Sequence, residues 1–313
     1  MMNIFKKILV STPANLINPS VILQSNRIAK KQRSHVTFFS VTEDIPKGQL
    51  VWGSKLSPQE LMDNLHKDQQ DSLNKIVAKF QDDFTSIDTF NAVGLPFIEV
   101  TKKVQQDNYD LVILAAKTNN FRRKRFFGST AVHLIRKCPC PVLALGSNKS
   151  KPLKRIVAAI DAYAPTKEGH KLNESILHMA SNVAQIENAE LHVIHAWKLP
   201  DESYLKGWGA TSDFERLELV MKKQQSIQKY IDEIIEKTIF NINPPIIKLL
   251  EGDAQEEIPR YVQENEIDLI VMGTVCRIGI PGNFIGNTAE SILSEVSCSV
   301  LTLKPEGFVS PVL

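Results

Sequence analysis

The sequence predicts an α/β fold: two tandem open, mostly parallel five-stranded sheets with helices on both faces. Two observations carry this. Short apolar runs alternate with long amphipathic segments, the pattern of βαβ units whose parallel sheet is covered on both sides. A stretch of sequence also recurs without a gap: Asp110 to Leu145 reappears as Asp268 to Leu303, so that Asp110 matches Asp268 and Gly128 matches Gly286. A fixed offset through a strand, a loop, a helix and a strand is the mark of duplication. The 313 residues suffice for two such units, each with its own core.

Strands are expected at residues 8–11, 36–41, 111–115 and 142–145, and again at 156–160, 191–197, 246–250, 269–272 and 300–303. Ser57-Pro-Gln-Glu60 is a capping box, with an N-cap serine, a proline at the first helical position and a glutamate at the third; Ser212-Asp-Phe-Glu215 repeats the device. Gly146-Ser-Asn-Lys-Ser-Lys-Pro152 has linker chemistry, and the first-strand pattern restarts just after it. The units are therefore placed at residues 1–149 and 150–313. From first to fourth strand the second unit is ten residues longer. That excess is assigned to the stretch between Trp197 and Asp213, a surface loop or a lid near the strand ends.

Lys and Arg total 37 against 35 Asp and Glu, so the net charge of +2 supplies no global field for nucleic acid or an anionic membrane. No apolar run reaches membrane-spanning length, and the N-terminus lacks a signal-peptide pattern. Four cysteines are few for this length, and Cys138-Pro-Cys140 is not expected to form a comfortable local disulfide. A reducing, cytoplasmic setting is the expectation.

The duplicated loops carry the candidate chemistry. A glycine-rich turn into a helix N-terminus offers backbone N–H groups to an anion, and glycine permits close approach and positive φ. The second loop supplies Gly273, Gly279, Gly282 and Gly286, followed by Thr288, whose hydroxyl could meet a phosphate or cap the helix.

The spacing of these glycines after Asp268-Leu-Ile-Val-Met272, together with Ile160-Asp161 closing a first strand, resembles the universal stress protein family. Leu134-Ile-Arg-Lys-Cys-Pro-Cys-Pro-Val142 and Phe284-Ile-Gly-Asn-Thr-Ala-Glu290 resemble its tandem, E-type members. The resemblance implies a Rossmann-like fold of the adenine nucleotide alpha hydrolase kind, and an internal pseudo-dimer joined through the last strand of each unit. It also implies an ATP site in the second unit lined by Asp161, Met272, Gly273, Cys276, Gly286, Asn287 and Thr288. Cys276 stands where the family has a loop glycine, and Asn287 where a serine is common. The first unit departs further, with Pro13 in place of Asp161, Ala115 in place of Gly273, and only Gly128 and Ser129 retained. Its loop carries Arg122, Arg123, Lys124 and Arg125 among phenylalanines, which could hold a phosphorylated or amphipathic anion.

No catalytic or metal-ligating constellation stands out. His192 and His195 fall on opposite sides of one strand, Cys276 beside Arg277 is a candidate reactive thiol, and His133 and Glu290 need only solvent or helix-end electrostatics. The function expected is a non-catalytic stress-response regulator binding a small ligand or a protein partner, with ATP a candidate cofactor and further homo-oligomerisation open. Its rivals are an anion carrier and a slow nucleotide hydrolase or transferase.

Overall fold

A computed structural model gives the fold; it describes residues 4–13, 18–43, 57–116, 127–146, 152–164, 166–198, 213–238, 243–274 and 286–312. The first half runs β1 (Lys7–Ser11), α1 (Pro19–Gln32), β2 (His35–Thr42), α2 (Pro58–Ala78), β3 (Ser86–Val93), α3 (Pro96–Asp107), β4 (Leu111–Ala115), α4 (Ser129–Lys137) and β5 (Val142–Leu145). The second runs β6 (Arg155–Ala159), α5 (Lys167–Glu187), β7 (Glu190–Trp197), α6 (Asp213–Thr238), β8 (Ile246–Glu251), α7 (Ala254–Glu264), β9 (Leu269–Gly273), α8 (Asn287–Glu295) and β10 (Ser299–Leu303).

Each half contributes five strands, and the two sets form one sheet in the order β3-β2-β1-β4-β5-β10-β9-β6-β7-β8. Every pairing is parallel except the central one, where β5 meets β10 antiparallel with Leu143 opposite Leu301. The expected pseudo-dimer is thus a continuous ladder. Side chains alternate across it and build a core on each face. Leu143, Leu145, Leu301 and Leu303 join a cluster under α1, α2, α5 and α6, while Val142, Ala144 and Val300 join one under α3, α4, α7 and α8. Both clusters cross the seam, so the halves share their cores.

Local chemistry sets the helix ends. Asn18 caps α1 by accepting from the Ser20 N–H, Thr166 caps α5 by accepting from Gly169, and Asp253 caps α7 by accepting from Gln255. The Ser57–Glu60 box forms as read: the Ser57 N–H donates to Glu60 Oε2 at 2.8 Å and the Glu60 N–H donates to Ser57 Oγ at 3.2 Å. Those bonds hold the Glu60 carboxyl below its ordinary range. The second box begins at Ser212, outside the described residues.

The duplication reaches further back than the sequence pattern. Gly94 and Gly252, also 158 apart, both take φ 143 just before α3 and α7, and a Cβ on either would meet the following Glu99 or Glu257. The aspartates that open the repeat have matching structural roles. Asp110 Oδ2 accepts from the N–H groups of Lys6 and Lys7, and Asp268 Oδ2 accepts from those of Lys154 and Arg155. Each fastens the start of its unit's first strand.

Two expectations are corrected. Residues 86–93, not anticipated as a strand, form β3 at the edge of the sheet. The ten extra residues do not lie mainly after Trp197. Lys7 pairs with His35 and Arg155 with Glu190, advances of 28 and 35 residues, so seven of the ten fall between the first two strands, where α5 has 21 residues against 14 in α1.

Candidate functional site

In an open α/β sheet a crevice opens at the carboxyl ends of neighbouring strands whose following helices leave to opposite faces. Strands β6 and β9 meet this condition. They are parallel neighbours with Ala159 beside Met272, and α5 covers one face while α8 covers the other. Asp161 follows β6, Gly273 ends β9 and Gly286 opens α8, so the topology brings these residues to one end of one crevice.

The turn carrying Asp161 is fastened on three sides. The Asp161 N–H donates to Asn173 Oδ1 at 3.1 Å, and Asn173 Nδ2 returns a bond to the Asp161 carbonyl at 2.8 Å. Asn173, buried on α5, also donates to the Tyr230 hydroxyl at 3.0 Å. Asp161 Oδ1 accepts from the Tyr163 N–H at 3.0 Å. The third support is His195, whose Nδ1 lies 3.1 Å from the Ile160 carbonyl and 3.3 Å from the Ala162 N–H. Its ring meets Tyr163 edge-on, and Lys223 Nζ sits 4.9 Å above the Tyr163 ring. Burial pushes the phenols of Tyr163 and Tyr230 above their ordinary range, which keeps both neutral.

Sequence reasoning gave His195 no role beyond exclusion as a metal ligand. Strand register holds the missed signal, because Ala159 pairs with Ile194 and His195 therefore falls beside the residues leading to Asp161.

At the other wall, the Gly286 N–H donates to the Thr274 carbonyl at 2.9 Å, closing the base of the second loop. Gly286 is the N-cap of α8 and makes no side-chain cap bond, whereas α1, α5 and α7 each have one. Asn287 and Thr288 are exposed in the first turn of α8. Thr288 lies inside the helix rather than at its cap. The first half repeats the closure, with the Gly128 N–H donating to Ala116 at 2.7 Å and Ser129 exposed at the start of α4.

The expected use of glycine φ is corrected. Gly128 has φ −72 and Gly286 φ −62, values open to any residue. Gly273 is glycine for a different reason: a Cβ there would lie 2.7 Å from Leu172 Cδ2 of α5. Met272 is buried in the core on the opposite face, among the residues under α8, so Met272 and Gly273 point to different sides. Cys276 and the basic run Arg122, Arg123, Lys124 and Arg125 lie outside the described residues, as does the stretch 199–212 read as a loop or lid.

Polar contacts across the seam tie this site to the first half. Lys304, just after β10, donates to the Ile135 carbonyl of α4 at 2.7 Å and to Thr274 Oγ1 at 2.5 Å. Burial pushes its ammonium down to about 8. On the other face, Glu187 Oε1 accepts from Gln24 Nε2 at 2.9 Å and Arg27 Nε at 3.2 Å, and its Oε2 accepts from the Leu153 N–H at 3.0 Å. Glu290 and His133 are more than solvent-facing helix residues. Glu290 of α8 pairs with Arg136 of α4, and His133 stacks on Phe97 with centroids 4.4 Å apart. A cavity of about 480 Å³ lined by Lys154, Arg155, Asp268 and Cys298 lies at the amino ends of β6, β9 and β10, away from the crevice.

Among the described residues there is no group of three or more His, Cys, Asp or Glu placed to hold a metal ion. None of the described helices is long and apolar enough to cross a membrane.

Comparison with known proteins agrees with this architecture. The chain is 27% identical over 216 residues to the universal stress protein E homolog of Haemophilus influenzae, an alignment covering 66% of this chain and 65% of that protein. It is 26% identical over 227 residues to universal stress protein E of Escherichia coli K12, covering 69% and 67%. Among solved structures, a functionally unknown protein from Pseudomonas aeruginosa PAO1 has a TM-score of 0.72 at 23% identity, covering 96% of this chain and 93% of that one. A universal stress protein from Archaeoglobus fulgidus has a TM-score of 0.64 at 17% identity, covering 95% and 98%. The family model described as the universal stress protein family matches twice, at residues 5–146 and 152–304. The chain therefore belongs to the universal stress protein family and carries the family's unit in tandem.

Proposed function

We propose that this chain is a non-catalytic, cytoplasmic stress-response regulator, with units at residues 1–149 and 150–313, whose second unit binds an adenine nucleotide. The observation that carries the reading is the fastened Asp161 turn at the same end of the β6–β9 crevice as the α8 N-terminus. The Asp161 carboxylate, on a turn that Asn173 fastens through its backbone, can accept from ribose hydroxyls, and the first-turn N–H groups of α8, with no side chain capping them, can donate to phosphate oxygens. The described residues fit such a ligand. Asp161, Gly273, Gly286, Asn287 and Thr288 would surround it, with Met272 in the floor. Pro13 offers the first unit no carboxylate, so that unit serves as a structural and partner-binding half. Nucleotide affinity would then report on the state of the second unit to a protein partner.

Calorimetry of the full chain with magnesium ATP tests this. One site per chain is expected, and Asp161→Ala should weaken it by about 10-fold or more, the worth of a charged hydrogen bond. Absence of heat at millimolar nucleotide, or an affinity indifferent to Asp161→Ala, overturns the assignment. Phosphate release above the uncatalysed rate would instead favour the hydrolase reading.

A further inference from the structure

Cys138-Pro-Cys140 was not expected to form a comfortable local disulfide, yet the structure brings its two sulfurs together. Cys138 is the C-cap of α4, its N–H donating to the Leu134 carbonyl at 2.9 Å, and the chain turns through Pro139 and Cys140 before β5 begins. The two sulfurs approach to 3.6 Å. Both are free thiols; Cys138 is fully buried and Cys140 is the less buried of the two. Lys304, reaching under α4 from the second half, brings its ammonium within electrostatic range of Cys138.

We propose that Cys138 and Cys140 form a reversible dithiol–disulfide site at the seam, oxidised by small-molecule disulfides. Cys140, the less buried of the two residues, attacks as thiolate. A Cys140–glutathione bond forms, the S–S bond of glutathione disulfide breaks, and one glutathione thiolate leaves and takes up a proton. Cys138, already in contact, gives its proton to water and attacks the Cys140 sulfur. The Cys138–Cys140 bond forms and a second glutathione thiolate leaves. Two protein thiols are oxidised and one disulfide is reduced to two thiols. Lys304 is a positioning residue for the second step, because its ammonium lies within electrostatic range of Cys138. The bond of Cys140 to Cys138, burial and the Asp110 carboxylate hold the Cys140 thiol well above its ordinary range, which makes the first step the slow one.

The full chain is treated with glutathione disulfide and followed by intact mass and by peptide mapping after alkylation. A product two hydrogens lighter, mapped to Cys138–Cys140 and reversed by dithiothreitol, is expected in the natural sequence and in Cys276→Ala/Cys298→Ala. On that background Cys138→Ser should stop at a single glutathione adduct on Cys140. Lys304→Met should slow closure of the adduct about 3- to 10-fold, while Lys304→Arg restores it. Thiols that both remain alkylatable, an adduct on Cys140 that never closes in the natural sequence, or a disulfide mapped elsewhere would each overturn the site. Equal closure rates in Lys304→Met and the parent would remove Lys304 from it.

Discussion

Leu172 Cδ2 fills the space that a Cβ on Gly273 would take, 2.7 Å from that position. The glycine that ends β9 therefore answers to helix packing, with no ligand needed to explain it. Gly273→Ala is expected to destabilise the unliganded chain by about 1 kcal/mol, at the low end for overpacking because the clashing atom is the tip of a partly buried side chain. Leu172→Ala should absorb most of the penalty in the double variant, which urea denaturation of the four-member cycle would read. Additive losses would show that Leu172 is not the obstacle.

The Glu187 side chain is 0% exposed and joins α5 to Gln24 and Arg27 of α1 and to the start of β6. Replacing it by alanine strands buried donors from both halves. A loss of about 2–4 kcal/mol is expected from the urea midpoint. Glu306→Gln, which removes an exposed ion pair with Lys171, should leave that midpoint in place.

Lys304 gives the seam a pH signature. Its pKa is about 8 when folded against 10.5 for an ordinary lysine, so between those values the unfolded chain binds the extra proton. Stability should therefore rise with pH through this window, and the desolvation cost is fully present below it. Compared with Lys304→Met, the natural chain should gain about 1–3 kcal/mol between pH 8 and pH 10.5. A flat difference between the two denaturation series would contradict the burial of the ammonium.

Cys276→Gly restores the glycine that the family resemblance implies in the second loop. Tighter magnesium ATP binding is expected, by about 10-fold if a side chain crowds the phosphates. Calorimetry on the single variant settles the direction, and unchanged affinity would clear Cys276 of that role.

Nine of the ten strands were legible because they are short apolar runs bounded by turns. The tenth, β3, was not, since Ser86, Asp88, Thr89 and Asn91 read as loop chemistry. Asn91 is nonetheless buried, with Oδ1 accepting from Ser40 Oγ at 2.7 Å and Nδ2 donating to Thr42 Oγ1 at 3.0 Å. Polar residues that satisfy one another across strands defeat a hydrophobic pattern. Asp161 and Gly286 could be placed from spacing alone. His195, Asn173 and Lys304 could not, because their partners lie 12 to 169 residues away and only register or tertiary contact pairs them. The thiol pair was missed for a local reason: the end of α4 and the bend through Pro139 and Cys140 set the two sulfurs side by side, which spacing alone does not fix.

The antiparallel meeting of β5 and β10 also has an evolutionary consequence. Two separate copies of one unit must keep a self-complementary edge, and any substitution appears on both sides at once. Joined in one chain, the halves meet at an effective concentration set by a short tether, and each edge needs to suit only its companion. Pro13 can then stand in one half where Asp161 stands in the other, so the tether frees the two halves of a once symmetric assembly to diverge.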